Sequence, residues 1–170
     1  MNNDRKTRKI TFYGMSLALA LVLSYVEAMI PIGIGIPGAK IGLANIVTVM
    51  LMYSSGAAAA FTVGLFRIVL SGFMFGNLFA IFYSSAGFLL SFAVMLLLKK
   101  SGKFGISGVS TAGGVMHNAG QLAAAVMLTN KAVLAYFPVL AAAGIAAGAV
   151  IGIIGGIMTS RLDAFLKKLG

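Results

Sequence analysis

The sequence predicts an all-α integral membrane protein with six transmembrane helices and both termini in the cytoplasm. Of the 170 residues, 60% are hydrophobic and only 9% are charged, and the mean hydropathy is +1.03. A soluble domain of this size has far more polar surface. Apolar stretches of about 20 residues, the length of helix that crosses the hydrocarbon of a bilayer, recur along the chain. The positions of the basic residues then set the orientation.

The apolar stretches divide the chain into six predicted spans within a single membrane domain covering residues 1–170. With boundaries read to within a few residues, they lie at about 10–30, 41–53, 57–73, 77–98, 106–128 and 136–158. The first is too long for the hydrophobic region of a signal peptide, so we expect it to be retained as a helix. Residues 160–170 are predicted to form a basic amphipathic tail, because Leu162, Phe165, Leu166 and Leu169 recur at helical spacing.

Lysine and arginine are concentrated on one side of this predicted topology. Six spans place the N-terminus, the connection at 99–105 and the C-terminus on the same side, and ten of the thirteen basic residues lie there. Cytoplasmic loops hold such an excess, so we expect a multi-pass protein of the cell membrane with cytoplasmic termini. The ten are Arg5, Lys6, Arg8, Lys9, Lys99, Lys100, Lys103, Arg161, Lys167 and Lys168.

Several classes of function are disfavoured by composition. Cysteine is absent, and the three acidic residues, Asp4, Glu27 and Asp163, are far apart in the chain. Paired-carboxylate catalysis, a carboxylate-held magnesium site and a thiol nucleophile therefore have no candidate residues. A lone His117 without cysteine disfavours a zinc site. The basic residues flank spans, where they meet lipid headgroups rather than nucleic acid. We expect no enzyme activity, no cofactor and no nucleic-acid partner.

Polar side chains inside the spans are the candidate functional residues, since such groups are costly in hydrocarbon and usually face the bundle interior or an aqueous cavity. They fall in the predicted outer half of the membrane. On the fifth span, Gly114, His117, Asn118 and Gln121 recur at i, i+3, i+4 and i+7, so they share one helical face. The predicted substrate-binding residues are Glu27, Lys40, Asn45, Arg67, Asn77, Tyr83, His117, Asn118 and Gln121, with Tyr25 as a second stacking group.

Two interpretations of these polar residues stay open. They are either the lining of a pocket that opens to the outside, in which Arg67 and Lys40 suit a carboxylate or phosphate, or interhelical hydrogen bonds with a structural ion pair between Glu27 and Arg67. The Gly- and Pro-rich segment at 31–40 is either a lid or re-entrant loop over such a pocket or a plain connector.

Small residues mark two helix faces for close packing, because helices in lipid associate where their backbones can approach. On the sixth span, Gly144, Gly148, Gly152 and Gly156 lie four apart and are interpreted as internal helix packing. The first span carries small residues that either pack within the bundle or dock an outside partner. These are Ser16, Ala20, Ser24 and Ala28, with Gly14 and Ala18 beside them.

Several segments together resemble a known family. They are Met15 to Ser24, Glu27 to Pro31, Pro37 to Asn45 and the pair Phe66-Arg67. The resemblance is to the Gx transporter family, whose members also carry the name heptaprenyl diphosphate synthase component I. That family is similar to the substrate-binding S components of energy-coupling factor (ECF) transporters, which are six-helix membrane proteins that capture vitamins or related compounds at the outer face.

The resemblance implies a six-helix S-component-like bundle, a small-molecule substrate and a partner. The partner would be a transmembrane coupling protein with two ATPases, which docks an Ala-x-x-x-Ala type surface on the first helix of S components. The corresponding positions here are Ser16, Ala20 and Ser24, with Gly14 and Ala18 alongside. The synthase name implies the alternative, a non-catalytic membrane accessory subunit in heptaprenyl diphosphate, quinone or redox metabolism.

Overall fold

The computed structural model describes residues 2–30 and 42–169, and the described chain is helical with short connections. The predicted lid or connector at 31–40, including Lys40, lies outside the described residues. The helices are α1 (Asn2–Met29), α2 (Asn45–Ser54), α3 (Ala57–Phe75), α4 (Leu78–Ser101), α5 (Ile106–Leu128) and α6 (Phe137–Leu169), with a 3₁₀ turn (Lys131–Tyr136) before α6.

Within residues 2–30 and 42–169, four helical stretches are long and apolar enough to cross a membrane: Lys6–Met29, Ala57–Phe75, Leu78–Ser101 and Lys131–Leu162. The other two helices fall short for different reasons. The 10 residues of α2 extend only about 15 Å. The 23 residues of α5 are long enough, but glycine and polar side chains lower its hydropathy. The protein is therefore a multi-pass helical membrane protein, and its six crossings stay a prediction.

The helix limits differ most from the predicted spans at the two ends of the chain. The first helix begins at Asn2, eight residues before the predicted span. At the other end, α6 continues without a break from Phe137 to Leu169. The expected tail at 160–170 is thus a direct continuation of the last helix, because no glycine or proline interrupts the sequence between Met158 and Leu169.

Five helices form a closed ring, and α1 lies against it. In the ring α2 packs on α3, α3 on α4, α4 on α5, α5 on α6 and α6 on α2, while α1 packs on α3 and α2. The start of α1, the α2–α3 turn, the α4–α5 connection and the end of α6 lie at one end, which we call the basic end. The end of α1 and the start of α4 lie at the opposite end, where Tyr25 contacts Phe75 edge-on at 5.6 Å.

The ring interior toward the basic end is filled by apolar side chains. Phe61, Phe88 and Phe92 form a cluster with ring centroids 5.2 to 5.8 Å apart. Phe88 lies so close to Gly64 that a Cβ there would be 2.4 Å from its ring. Leu51 and Met52 of α2 are completely buried in the same core. This half of the bundle is therefore held together by close packing.

The glycine face of α6 packs on α5, and the two helices run antiparallel with their backbones in contact. A Cβ on Gly144 would lie 2.8 Å from the carbonyl oxygen of Gly114, and one on Gly148 would lie 2.7 Å from the carbonyl oxygen of Ser110. Gly152 approaches Ser107 in the same way, whereas Gly156 has its nearest neighbour, Ile106, at 3.8 Å. Bare backbone at the first three positions allows this close approach.

Candidate functional site

Arg67 is the centre of the polar groups in the opposite half of the bundle. It lies in the middle of α3, and its side chain is buried. Its Nη2 donates a hydrogen bond to Oδ1 of Asn45 at 3.4 Å, which is long for such a bond. Its Nε is buried and has no hydrogen-bond partner among the residues that the structure describes. A buried cation with unused donor capacity is a group that a ligand can bind.

Glu27 provides the negative charge near Arg67. Its side chain is buried near the end of α1. Its Oε1 accepts a hydrogen bond from the backbone N–H of Gly42 at 2.5 Å. The carboxylate also attracts the Arg67 guanidinium electrostatically. The two charges that the sequence placed on separate helices therefore belong to one site, and we call Glu27, Gly42, Asn45 and Arg67 the Arg67 cluster.

Gly42 fixes the turn through which the chain enters α2. Its φ of +79° lies in the left-handed region, and a Cβ at this position would be 2.9 Å from the Asn45 side-chain nitrogen. Its carbonyl accepts the N–H of Asn45 at 2.8 Å. Gly42 was not among the site residues predicted from the sequence. The signal was a glycine at the start of the predicted second span, directly after the glycine-rich segment at 31–40.

The N-terminus of α2 lies beside Arg67, because Asn45 is the first residue of that helix. The preceding residue, Ala44, provides no side-chain cap. The partial positive charge of a helix N-terminus therefore adds to the charge of Arg67. Among the described members of the cluster, the Glu27 carboxylate is the one negative charge that opposes these positive charges.

The polar residues of α5 divide between two neighbouring helices. Asn118 faces α6, where its Nδ2 donates a buried hydrogen bond to the carbonyl of Leu140 at 2.6 Å. His117 and Gln121 face α4 at Gly87, where a Cβ would lie 3.0 Å from His117 Cε1 and 2.8 Å from Gln121 Cγ. The expected single polar face is thus split. Asn118 holds α5 to α6. Gly87, which was not predicted from the sequence, provides the space for His117 and Gln121.

The two polar residues predicted on the fourth span, Asn77 and Tyr83, are not members of the Arg67 cluster. Asn77 is exposed and caps α4, since its Oδ1 accepts the N–H of Ala80 at 2.8 Å. This use of an asparagine at a helix N-terminus is common. Tyr83 is half-buried on the first turns of α4. Tyr25, the other stacking candidate, is 50% exposed and contacts Phe75.

The small residues of α1 point in two directions. Ser16, Ala20 and Ser24 are buried, in line with Glu27 on the face that packs on the bundle. Gly14, Ala18 and Ala28 are exposed. Ser16 donates to the carbonyl of Phe12 within its own helix, whereas the buried Oγ of Ser24 has no partner among the described residues. Only the exposed set is available to a partner in this fold.

At the basic end, Lys99 connects α4 to α2. Its Nζ donates a hydrogen bond to the carbonyl of Met52 and lies 4.5 Å from the centroid of the Tyr53 ring. A cation at the C-terminal end of α2 is favourable for the helix dipole. The bundle is therefore polar in the half that holds the Arg67 cluster. At the basic end, packed side chains and Lys99 close it.

Fold and site together define a class: a small helical membrane protein that buries an arginine and a glutamate in one half of its bundle. The chain belongs to the heptaprenyl diphosphate synthase component I family, whose model matches residues 17–158. The match includes α2 to α5, the C-terminal half of α1 from Leu17 and the greater part of α6. No curated protein and no solved structure matches the chain.

Proposed function

We propose that this protein is a substrate-binding membrane subunit, similar to an S component, that holds a small anionic molecule against Arg67. The observation that carries the proposal is the buried Arg67 guanidinium, with one long hydrogen bond and an unpartnered Nε among the described residues. Arginine binds carboxylate and phosphate groups in a planar, two-pronged geometry. The adjacent N-terminus of α2 favours the same charge.

The rest of the predicted site takes supporting roles in this proposal. Glu27 orients the turn at Gly42 and partly balances Arg67 while the site is empty. His117 and Gln121 contribute polar groups from the α4–α5 side, and Lys40 is a further candidate from the connection between α1 and α2. Asn77 and Tyr83 belong to the rim of the site on α4, while Asn118 supports it through α6.

The proposed role requires partners and an orientation. With six crossings and cytoplasmic termini, the Arg67 cluster faces the outside, so the substrate is captured there for import. Transport energy comes from an ECF-type coupling protein and its ATPases, which are separate chains. Of the small residues expected to dock them, Gly14 and Ala18 are exposed on α1 and are the candidates for that contact.

Binding can be tested on the purified protein. Mass spectrometry of small molecules released from the protein should identify a carboxylate or phosphate compound, which should then raise the thermal unfolding temperature when added back. Arg67→Gln should abolish this stabilisation, whereas Arg161→Gln, which removes an exposed arginine on α6, should retain it. Equal stabilisation of both variants would refute a binding role for Arg67.

The family match favours a second candidate, a non-catalytic accessory subunit for prenyl diphosphate synthesis. In that role the protein would present a prenyl diphosphate to a separate catalytic chain at the membrane. The two candidates differ in their partner. Affinity purification from membranes should recover either a coupling protein with ATPases or a soluble prenyl synthase, whose activity would fall when this protein is removed.

A further inference from the structure

An open groove lies between α1 and α3 in the half of the bundle nearest the basic end. Its volume is about 500 Å³. Gly14 and Leu17 line it from α1, and Ala58, Ala59 and Phe66 line it from α3. A Cβ on Gly14 would have no atom within 4 Å, so the groove exists because small side chains meet where larger ones would close it. It is separate from the Arg67 cluster.

The groove has the depth of one membrane leaflet. Its lining extends along the chain from Ser55, in the α2–α3 turn, to Phe66. These positions are about 16 Å apart along a helix at 1.5 Å per residue. The hydrocarbon core of a bilayer is about 30 Å thick. A single acyl chain that enters from the membrane surface therefore fits the groove along its length.

Positive charge lies at the mouth of the groove. Lys6 and Lys9 are exposed on α1. Lys6 shares a helical face with Ile10 and Gly14, which line the groove, and Lys9 lies one turn before Tyr13, which also lines it. Glu27, the acidic residue whose side chain the structure describes, is at the opposite end of α1. The charge at the mouth thus complements a phosphate.

We propose that this groove is a binding site for an anionic membrane phospholipid. One acyl chain lies between α1 and α3, and the phosphate is bound by Lys6 and Lys9. Charge complementarity at the mouth and apolar lining of leaflet depth select this occupant over a zwitterionic lipid. The site contains no member of the Arg67 cluster, so it can be tested separately from substrate binding. Gly14 also belongs to the surface proposed to contact the coupling protein.

The absence of tryptophan from the sequence allows a direct test. Phe66→Trp places a fluorophore in the groove at a position that is 57% exposed. Leu89→Trp is the matched control: it is 49% exposed on α4 and lies at a similar depth, since its neighbour Phe88 packs on Gly64. Each variant is reconstituted into phosphatidylcholine vesicles that contain a fixed minor fraction of brominated phosphatidylglycerol or brominated phosphatidylcholine.

We expect the groove tryptophan to favour brominated phosphatidylglycerol over brominated phosphatidylcholine by roughly fivefold in apparent affinity. The control tryptophan should show no preference. Lys6→Gln with Lys9→Gln should remove the preference, while Lys100→Gln with Lys103→Gln, two exposed cations at the same end, should preserve it. Gly14→Leu should reduce quenching of the groove tryptophan by both lipids.

Two results would overturn the proposal. Equal quenching by the two lipids at both tryptophans would show that the groove has no anionic site. If the brominated lipids quench the control tryptophan but neither lipid quenches the groove tryptophan, a protein segment or a second copy of the chain covers the groove. Size-exclusion chromatography in detergent, performed on each variant first, identifies those that are folded and suitable for this comparison.

Discussion

The hydrogen bond from Arg67 Nη2 to Asn45 Oδ1, at 3.4 Å, joins the middle of α3 to the first residue of α2. It is a long contact for a buried cation. On the same side, Glu27 of α1 binds the backbone of Gly42 and attracts Arg67. Three helices are thus connected through one buried arginine, and substitutions in this cluster separate its structural role from its binding role.

Neutralising Glu27 alone should destabilise the protein more than neutralising both charges. Glu27→Gln leaves the buried Arg67 without its nearby opposite charge and removes the charge from the hydrogen bond to Gly42. We expect a loss of about 2 kcal/mol in the free energy of unfolding in detergent. Adding Arg67→Gln removes the unbalanced cation and should restore part of that loss. Additive losses in the double variant would contradict the electrostatic coupling of the two residues.

Gly42→Ala should destabilise the entry to α2. Alanine at φ +79° costs about 1–2 kcal/mol, and its Cβ would also crowd the Asn45 side chain at 2.9 Å. The matched control is Gly102→Ala, at φ +67° with no atom within 4 Å of the new Cβ. Thermal unfolding should show a larger loss for Gly42→Ala. Similar losses would mean that the contact with Asn45 is unimportant.

Gly148→Ala should separate α5 from α6. The new Cβ would lie 2.7 Å from the carbonyl oxygen of Ser110 and 2.8 Å from Cα of Thr111. Backbone atoms cannot move aside as a flexible side chain can, so we expect a loss of about 1–3 kcal/mol in unfolding free energy. Gly156→Ala, with its nearest neighbour at 3.8 Å, is the control in the same helix. It should unfold at nearly the original temperature.

Lys99 and Tyr53 should respond differently to substitution. Lys99→Met removes the hydrogen bond to the Met52 carbonyl and the contact with the Tyr53 ring, at a cost of about 1–2 kcal/mol. Tyr53→Phe keeps the ring and removes a buried hydroxyl that has no partner among the described residues. Its unfolding free energy should stay within about 0.5 kcal/mol of the original. A large loss in Tyr53→Phe would reveal a partner for that hydroxyl.

The crossing of α5 can be tested with cysteine labelling, because the sequence has no cysteine. Ser101 and Thr129 are exposed on either side of α5, so single cysteines at these positions report its two ends. A membrane-impermeant thiol reagent should label Thr129→Cys in intact cells and Ser101→Cys only after permeabilisation. Labelling of both positions from the same side would show that α5 does not cross.

The helices were largely predictable, while the site was predictable only as a set of residues. The span expected at 106–128 coincides with α5, because Gly105 and the polar segment after Leu128 end the helical pattern. The polar positions stood out because charged and amide side chains are rare in hydrocarbon. Nothing in the spacing showed that Asn118 turns toward α6 while His117 turns toward α4. That division depends on which helices lie beside α5.

The sequence by itself determined that this is a helical membrane protein with one basic end and few polar groups inside. Hydropathy and charge act over whole segments, so they can be read without knowing any contact. The tertiary structure decided that Glu27 and Arg67 share a site, that Gly42 forms the turn beside them, and that a groove opens at Gly14. These features depend on the order of the helices around the ring. That order is set by contacts between side chains that are far apart in the chain.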